Sequence, residues 1–379
     1  MPQESRTRAG LEGVVATSSA ICYIDGDQGV LAYCGHDIHD LAREATFEEV
    51  CYLLWHRRLP TRAELGDLRT ALAGARALPE AMLRQVRMLP RGHAMDALRT
   101  LVSTLAHYDP ESEDRSPAAA YRKAVRLTAQ VASVVATYGR MTAGGGAIDP
   151  DPALSHAANF LLMLTGTRPS GLAARALDVA LVLHADHELN ASTFAARVTA
   201  ATLSDVHSAV VSGIGALKGP LHGGANADVM KMLLAIGEDA DDARIDATVR
   251  GMLARQDKVP GFGHRVYRTE DPRATHLRQM SKQIGERIGK TRWFEMSRRI
   301  EAVMTAERKI DANVDFYSAS TYHLLGIPID LFTPIFAVSR TAGWTAHVLE
   351  QYANNRLIRP RAEYIGPEHP QPYVPLEQR

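Results

Sequence analysis

A chain of 379 residues can bury one large core with a satellite, or two to three average domains, and needs no disulfide or metal staple to fold. With 46% hydrophobic and 23% charged residues it lies away from disordered, collagen-like and disulfide-scaffold compositions, which predicts a soluble globular protein. Its 43 basic and 43 acidic residues cancel, which argues against a nucleic-acid binder working through a broad cationic face.

Cys22, Cys34 and Cys51 form no CxxC pair and cannot all pair within one chain, a pattern that suits a reducing compartment without structural disulfides or zinc. The first eight residues lead into no apolar leader, and no stretch approaches the roughly 18 apolar residues that span a bilayer. The expected location is cytoplasmic, away from membranes.

Cys22-Tyr-Ile24 and Val30-Leu-Ala-Tyr33 flank Asp25-Gly26-Asp27-Gln28-Gly29, which predicts a β-hairpin with the Asp-Gly step supplying the positive φ of the turn. Little else reads as strand. Thr46-x-x-Glu49 and Thr61-x-x-Glu64 match capping boxes and open two helices separated by Pro60. Met95, Leu98, Leu101, Val102 and Leu105 recur at helical spacing, and Ser116-Pro117 has the chemistry to start a helix running towards Tyr138. Further helices are predicted over 153–166, 171–188, 192–202 and 205–217, then 225–236, 242–255, two within 272–308, and 314–325. Thr333-Pro334 is expected to cap a strong helix carrying Arg340, Trp344 and His347, and a Pro-rich, weakly structured tail follows Asn355. No repeat of 20–50 residues is present, which argues against a solenoid. The fold class is mainly α with a short N-terminal β-hairpin.

Three segments interrupt the helical pattern with glycine beside a His or Asp: Leu217-Lys-Gly-Pro-Leu-His222-Gly-Gly-Ala-Asn226, Val259-Pro260-Gly261-Phe262-Gly263-His264-Arg-Val-Tyr267, and Asn313-Val-Asp315-Phe-Tyr-Ser318. Glycines there cost helix stability and point to close backbone approach. One such His alone is most often a satisfied core or surface residue. Together, His222-Gly-Gly-Ala-Asn226, Gly261-Phe-Gly-His264, Asp271-Pro-Arg273 and Asn313-Val-Asp315 resemble the citrate synthase family in order and approximate spacing. The resemblance extends from Gly10-Leu-Glu-Gly-Val14 through Leu183-His-Ala-Asp-His187-Glu-Leu-Asn190-Ala-Ser-Thr193 to Arg356-Leu-Ile-Arg359-Pro-Arg361. One departure is Tyr33-Cys34-Gly35-His36, where many members carry Tyr-Arg-Gly-Tyr.

The resemblance implies a two-domain helical dimer. Residues 1–223 and 327–379 would form a large domain with the oxo-acid site and dimer interface, and 224–326 a small domain with the coenzyme A site. It implies that acetyl-CoA and oxaloacetate condense to citryl-CoA, which is hydrolysed to citrate and CoA, or that propionyl-CoA reacts likewise in a 2-methylcitrate synthase. No metal or redox cofactor is expected, because the CoA thioester is itself a substrate. A thioester α-proton is too weakly acidic for a carboxylate alone, so Asp315 as base needs an electrophile at the enolate oxygen. By resemblance that electrophile is His222, kept neutral by the nearby helix start, while His264 serves the ketone.

Arginine forks suit the two carboxylates of an oxo acid, and Arg273, Arg340 and Arg359 match the family's substrate arginines. Arg359 would reach across the dimer, and His187 would contact the oxo acid. Val259, Pro260, Gly261, Phe262 and Gly263 would present exposed backbone to the adenine, with Arg268 near the CoA phosphates. As the resemblance begins by Gly10, a plain dimer is expected rather than the NADH-regulated hexamers that carry longer N-terminal extensions. Two readings compete: a metal-dependent hydrolase built on His184, Asp186 and His187 with Glu188 nearby, and a non-catalytic helical scaffold.

Overall fold

The computed structural model describes residues 9–379, so the opening stretch read above as free of an apolar leader lies outside the described residues. The hairpin forms from β1 (Cys22–Asp25) and β2 (Val30–Tyr33), antiparallel with Cys22 opposite Tyr33 and Asp25 opposite Val30. Its turn works differently from expectation. Asp25 Oδ1 accepts the N–H groups of Asp27 and Gln28, and the positive φ falls on Gly29 at 68°. Gly26 serves close approach instead: a Cβ there would stand 2.2 Å from the Val266 carbonyl oxygen, and its own carbonyl accepts the Arg268 N–H at 2.8 Å. The hairpin tip therefore braces the segment after His264. A third strand, β3 (His36–Asp37), returns on β2 through Cys34 and Gly35, both at positive φ. At two residues it is too short to leave an alternating pattern in the sequence.

Sixteen α-helices follow among the described residues. The first is α1 (Ile38–Glu44), which the sequence reading passed over, and both capping boxes then form at α2 (Phe47–His56) and α3 (Arg62–Ala75). Such caps contribute about 1 kcal/mol each. The short α4 (Glu80–Met88), also unpredicted, leads to α5 (Ala94–Leu105) and the long α6 (Pro117–Thr142), which Ser116 caps. Then come α7 (His156–Thr165), α8 (Gly171–His184), α9 (Ala191–Ala201) and α10 (Val206–Leu217). Helix α8 stops at His184 rather than 188, because Glu188 adopts positive φ and the chain turns across residues 185–190.

A second group comprises α11 (Ala225–Ile236), α12 (Asp242–Ala254), α13 (Pro272–Ile288), α14 (Arg292–Arg308) and α15 (Val314–Leu324), which pack on one another. Helix α13 also leans on α8 and α1. The chain then returns to the first group through α16 (Phe332–Ala353), surrounded by α6, α9, α10, α8 and α2. Every residue from 332 to 348 is buried, the mark of a helix at the centre of a large core. Thr333 is not its cap. A 3₁₀ turn over Ile329–Leu331 starts the helix earlier, Pro334 sits in the first turn where its missing N–H costs little, and Thr333 Oγ1 donates to the Gly223 carbonyl at 2.9 Å. The tail after Ala353 is irregular and largely exposed, as expected. No helix among the described residues is long and apolar enough to cross a membrane.

Candidate active site

His222 lies in the turn between α10 and α11. Gly223 lets that turn fold tightly, since a Cβ there would stand 2.4 Å from the Leu217 carbonyl oxygen. His222 Nε2 receives the Ser192 backbone N–H at 3.3 Å and lies 2.8 Å from Ser192 Oγ. A bare Nε2 places the ring proton on Nδ1. Burial, and after it the Arg340 charge, lowers the His222 pKa to about 4, so the ring is neutral at pH 7.

Across from it, Asp271 organises three groups at once. Its carboxylate caps α13 at the Arg273 N–H, forks onto the Arg273 guanidinium at 2.9 and 2.8 Å, and accepts the Val314 N–H at 3.0 Å. It thereby ties Arg273 to the start of α15, where Asn313 caps the Asp315 N–H. Burial raises the Asp315 carboxyl to a pKa of about 6, with Arg273 pulling in the opposite direction. His264 spends Nδ1 on the N–H groups of Val266 and Tyr267, at 3.0 and 3.3 Å, which leaves the proton on Nε2. That nitrogen stands 3.5 Å from Arg273 Nη2, so two donors face the same space. Burial, then Arg273, lowers the His264 pKa to about 4.

Arg340 is 1% exposed on α16, stacks over Phe336 at 4.7 Å and donates Nε to the His184 carbonyl. Its Nη1 has no hydrogen-bond partner among the described residues, and burial lowers its pKa to about 10, still charged at pH 7. His187 bonds the Tyr267 hydroxyl at 3.1 Å and stacks edge-on against His264. Burial and the Arg273 charge hold it well below its ordinary pKa. Three neutral imidazoles, two buried guanidiniums and one carboxylate of raised pKa thus share a site that suits a dianion and a proton transfer.

The residues of the rival metal reading diverge. His184 points to the Ala180 carbonyl and Phe336, Asp186 to His347, and His187 to Tyr267. Among the described residues no three His, Cys, Asp or Glu converge as ligands would.

The loop 259–263 is less open than expected. Val259, Gly261 and Phe262 are buried, Pro260 is half-buried and only Gly263 is exposed. The Gly261 carbonyl accepts from Asn313 N–H, and Gly263 pairs with Asp311 and the Asn313 side chain. Positive φ at Gly261, where a Cβ would crowd Phe316, and at Gly263 makes this packing possible. Arg268 is exposed beside a cleft of about 210 Å³ lined also by His264, Lys309 and Asn313. Arg359 lies apart from the cluster on the exposed tail. Sequence reasoning missed the supporting residues Ser192, Tyr267 and Trp344. Asp271, by contrast, carries a signature that was legible: Asp followed by Pro is an N-cap followed by N1.

The family model described as "Citrate synthase, C-terminal domain" matches residues 10–361. The chain is 53% identical to "Citrate synthase 2" of Bacillus subtilis over 98% of both chains. It is 42% identical to the "2-methylcitrate synthase" of Shewanella oneidensis, again over 98% of each. Among solved structures, the ternary complex of the Thermoplasma acidophilum citrate synthase with carboxymethyl coenzyme A and oxaloacetate superposes with a TM-score of 0.90 at 31% identity, covering 98% of this chain and 99% of that one.

Proposed function

The chain belongs to the citrate synthase family, and from that premise we propose that it condenses acetyl-CoA with oxaloacetate and hydrolyses the resulting citryl-CoA to citrate and CoA. The observation that carries this reading is Asp315, a carboxylate of raised pKa, set among neutral histidines and the buried Arg273 and Arg340. Asp315 takes a methyl proton from the thioester, and His222 Nδ1–H stabilises the charge reaching the thioester oxygen. The new carbon nucleophile attacks the ketone of the oxo acid, whose oxygen takes the proton of His264 Nε2. Water then adds to the thioester carbonyl and the CoA thiol leaves. Arg273, Arg340 and His187 hold the oxo acid, while residues 259–263 and Arg268 receive CoA. None of these steps calls for a metal or redox cofactor.

A second reading, favoured by the 2-methylcitrate synthase relative, uses propionyl-CoA. One methylene in an apolar pocket is worth about 1–3 kcal/mol, so the two substrates differ by roughly 10–200-fold at most. The deciding measurement is kcat/KM for each acyl-CoA with oxaloacetate in EDTA, followed by thiol release. A higher value for acetyl-CoA supports the first reading, and absence of thiol release with either substrate sinks both.

In this proposal residues 224–326 move as a small unit bringing His264, Arg273 and Asp315 to His187, His222 and Arg340. Oxaloacetate is then expected to compact the protein in solution scattering and to tighten binding of an acetyl-CoA analogue. Equal analogue affinity with and without oxaloacetate, and no compaction, would contradict it.

The proposal also makes the protein a dimer in which Arg359 completes the partner's carboxylate clamp from the exposed tail. Mixing Asp315→Asn and Arg359→Ala chains would then give heterodimers with one intact and one doubly damaged site. About half the parental activity per heterodimer is expected, because each site works as a unit. An in-subunit Arg359 leaves a lesion in every site, so no recovery after verified exchange would refute the crossing arm.

A further inference from the structure

Ser192 is the hub of a buried hydrogen-bond network behind His222. Its Oγ lies 2.8 Å from His222 Nε2, 2.7 Å from Asn190 Oδ1 and 3.1 Å from the indole Nε1 of Trp344. Trp344 is fully buried and seated against Gly213 of α10, where a Cβ would come within 2.9 Å of the indole ring. We propose that Trp344 is a positioning residue for His222: its indole N–H gives the buried Ser192 Oγ a donor and so keeps the imidazole proton on Nδ1, facing the thioester. The proposal rests on the electrophile role given to His222 above.

The argument is one of proton counting. An indole N–H can only donate, whereas a hydroxyl has one proton and two acceptor sites. Two arrangements of the protons compete, and each leaves one of the close contacts unmatched. In the first, Ser192 Oγ–H donates to a bare His222 Nε2, which also takes the Ser192 N–H, and Oγ accepts from Trp344. In the second, Oγ–H donates to Asn190 Oδ1, and Oγ accepts from both Trp344 and a protonated Nε2.

The second leaves the Ser192 N–H aimed at another N–H, a buried donor without an acceptor. The first instead leaves Ser192 Oγ and Asn190 Oδ1 2.7 Å apart with no proton between them, a contact that side-chain rotation can lengthen while Oδ1 keeps the Thr193 N–H at 3.1 Å, whereas the backbone N–H of Ser192 cannot be turned away. The first arrangement depends on the indole, for without Trp344 the Ser192 oxygen would be a buried acceptor with no donor. Protonating Nε2 would then supply that donor. The indole removes the incentive, and the proton stays on Nδ1.

The test reads the tautomer directly by ¹⁵N NMR of labelled histidine, assigning His222 by its loss in His222→Gln. The wild type is expected to show a bare Nε2 and a protonated Nδ1. Trp344→Phe is expected to move the proton towards Nε2 and to lower kcat about tenfold, in proportion to the competent fraction, with little change in KM for oxaloacetate. The double variant Ser192→Ala/Trp344→Phe is the discriminating one. It removes the acceptor that attracts Nε2–H, so it is expected to restore Nδ1–H and to recover several-fold in kcat over Trp344→Phe alone.

A purely structural role for the indole predicts no such rescue. A protonated Nε2 in the wild type, an unmoved tautomer in Trp344→Phe, or a double variant no better than the single one would each overturn the proposal. The wild-type spectrum decides even where Trp344→Phe does not fold. Full turnover in His222→Gln would instead sink the electrophile reading, leaving the tautomer measurement to stand on its own.

Discussion

Replacing Asp315 with Asn is expected to lower kcat on the order of 10²–10⁴-fold while leaving oxaloacetate affinity within a few-fold of the parent. The carboxylate faces the thioester in the proposed chemistry, whereas Arg273 and Arg340 hold the oxo acid. The substitution is nearly isosteric, and the helix start is anchored by Asn313 and Asp271 rather than by the Asp315 side chain. Two further readouts separate lost chemistry from misfolding. With its pKa raised to about 6, Asp315 is ionised above that pH, so kcat/KM of the parent should fall as pH drops through about 6 rather than near 4. The raised value also means that ionised Asp315 disfavours the folded state at neutral pH. Asp315→Asn should therefore melt no lower than the parent at pH 7, measured by calorimetry. A variant with near-parental kcat would remove Asp315 from the mechanism.

The second large effect concerns the two histidines, which should each be essential yet fail at different steps. His222→Gln should block exchange of the acetyl-CoA methyl protons into deuterated water when an unreactive oxo-acid analogue is bound, because enolisation loses its Nδ1–H donor. His264→Gln should leave much of that exchange intact and instead slow the condensation that consumes oxaloacetate. Losses on the order of 10²–10³-fold are expected for each, the usual scale for one preorganised donor at a developing oxyanion. Unaltered exchange in the His222 variant would overturn its role. Exchange blocked equally in both would mean that the two donors serve one oxygen.

Much of the frame was readable because its signals are local. Thr46 with Glu49, Thr61 with Glu64, and Ser116 with Pro117 define helix starts within four residues, and all three form. Errors came where the decisive partner is distant in sequence. Nothing near Gly26 announces that Val266 will press on it, and nothing near Thr333 announces the Gly223 carbonyl. Helix α8 ends early because of the backbone at Glu188, whereas the apolar pattern alone runs on. His222, His264 and Asp315 were located by the order of their motifs. The histidines are neutral because of burial and then of Arg340 at His222 and Arg273 at His264, whereas burial raises the Asp315 pKa against the pull of those same arginines, which only the folded chain brings near. The loop 259–263 looked like open backbone in the sequence because glycine and proline mark turns, yet its carbonyl and N–H groups are largely used by residues 311–313.

Arg340 leaves the core of the protein in an unusual position. A guanidinium in the middle of a helix buried from residue 332 to 348, with one nitrogen unmatched, makes the free enzyme less stable than the same helix would be with an apolar side chain of equal volume. Selection for a tougher chain and selection for a working one therefore pull on this residue in opposite directions. The opposition eases only while a carboxylate occupies the site, since a ligand that binds the folded state alone adds its binding energy to stability. In a cell the endurance of this protein would then follow the supply of its oxo acid, and a starved molecule would be the first to unfold.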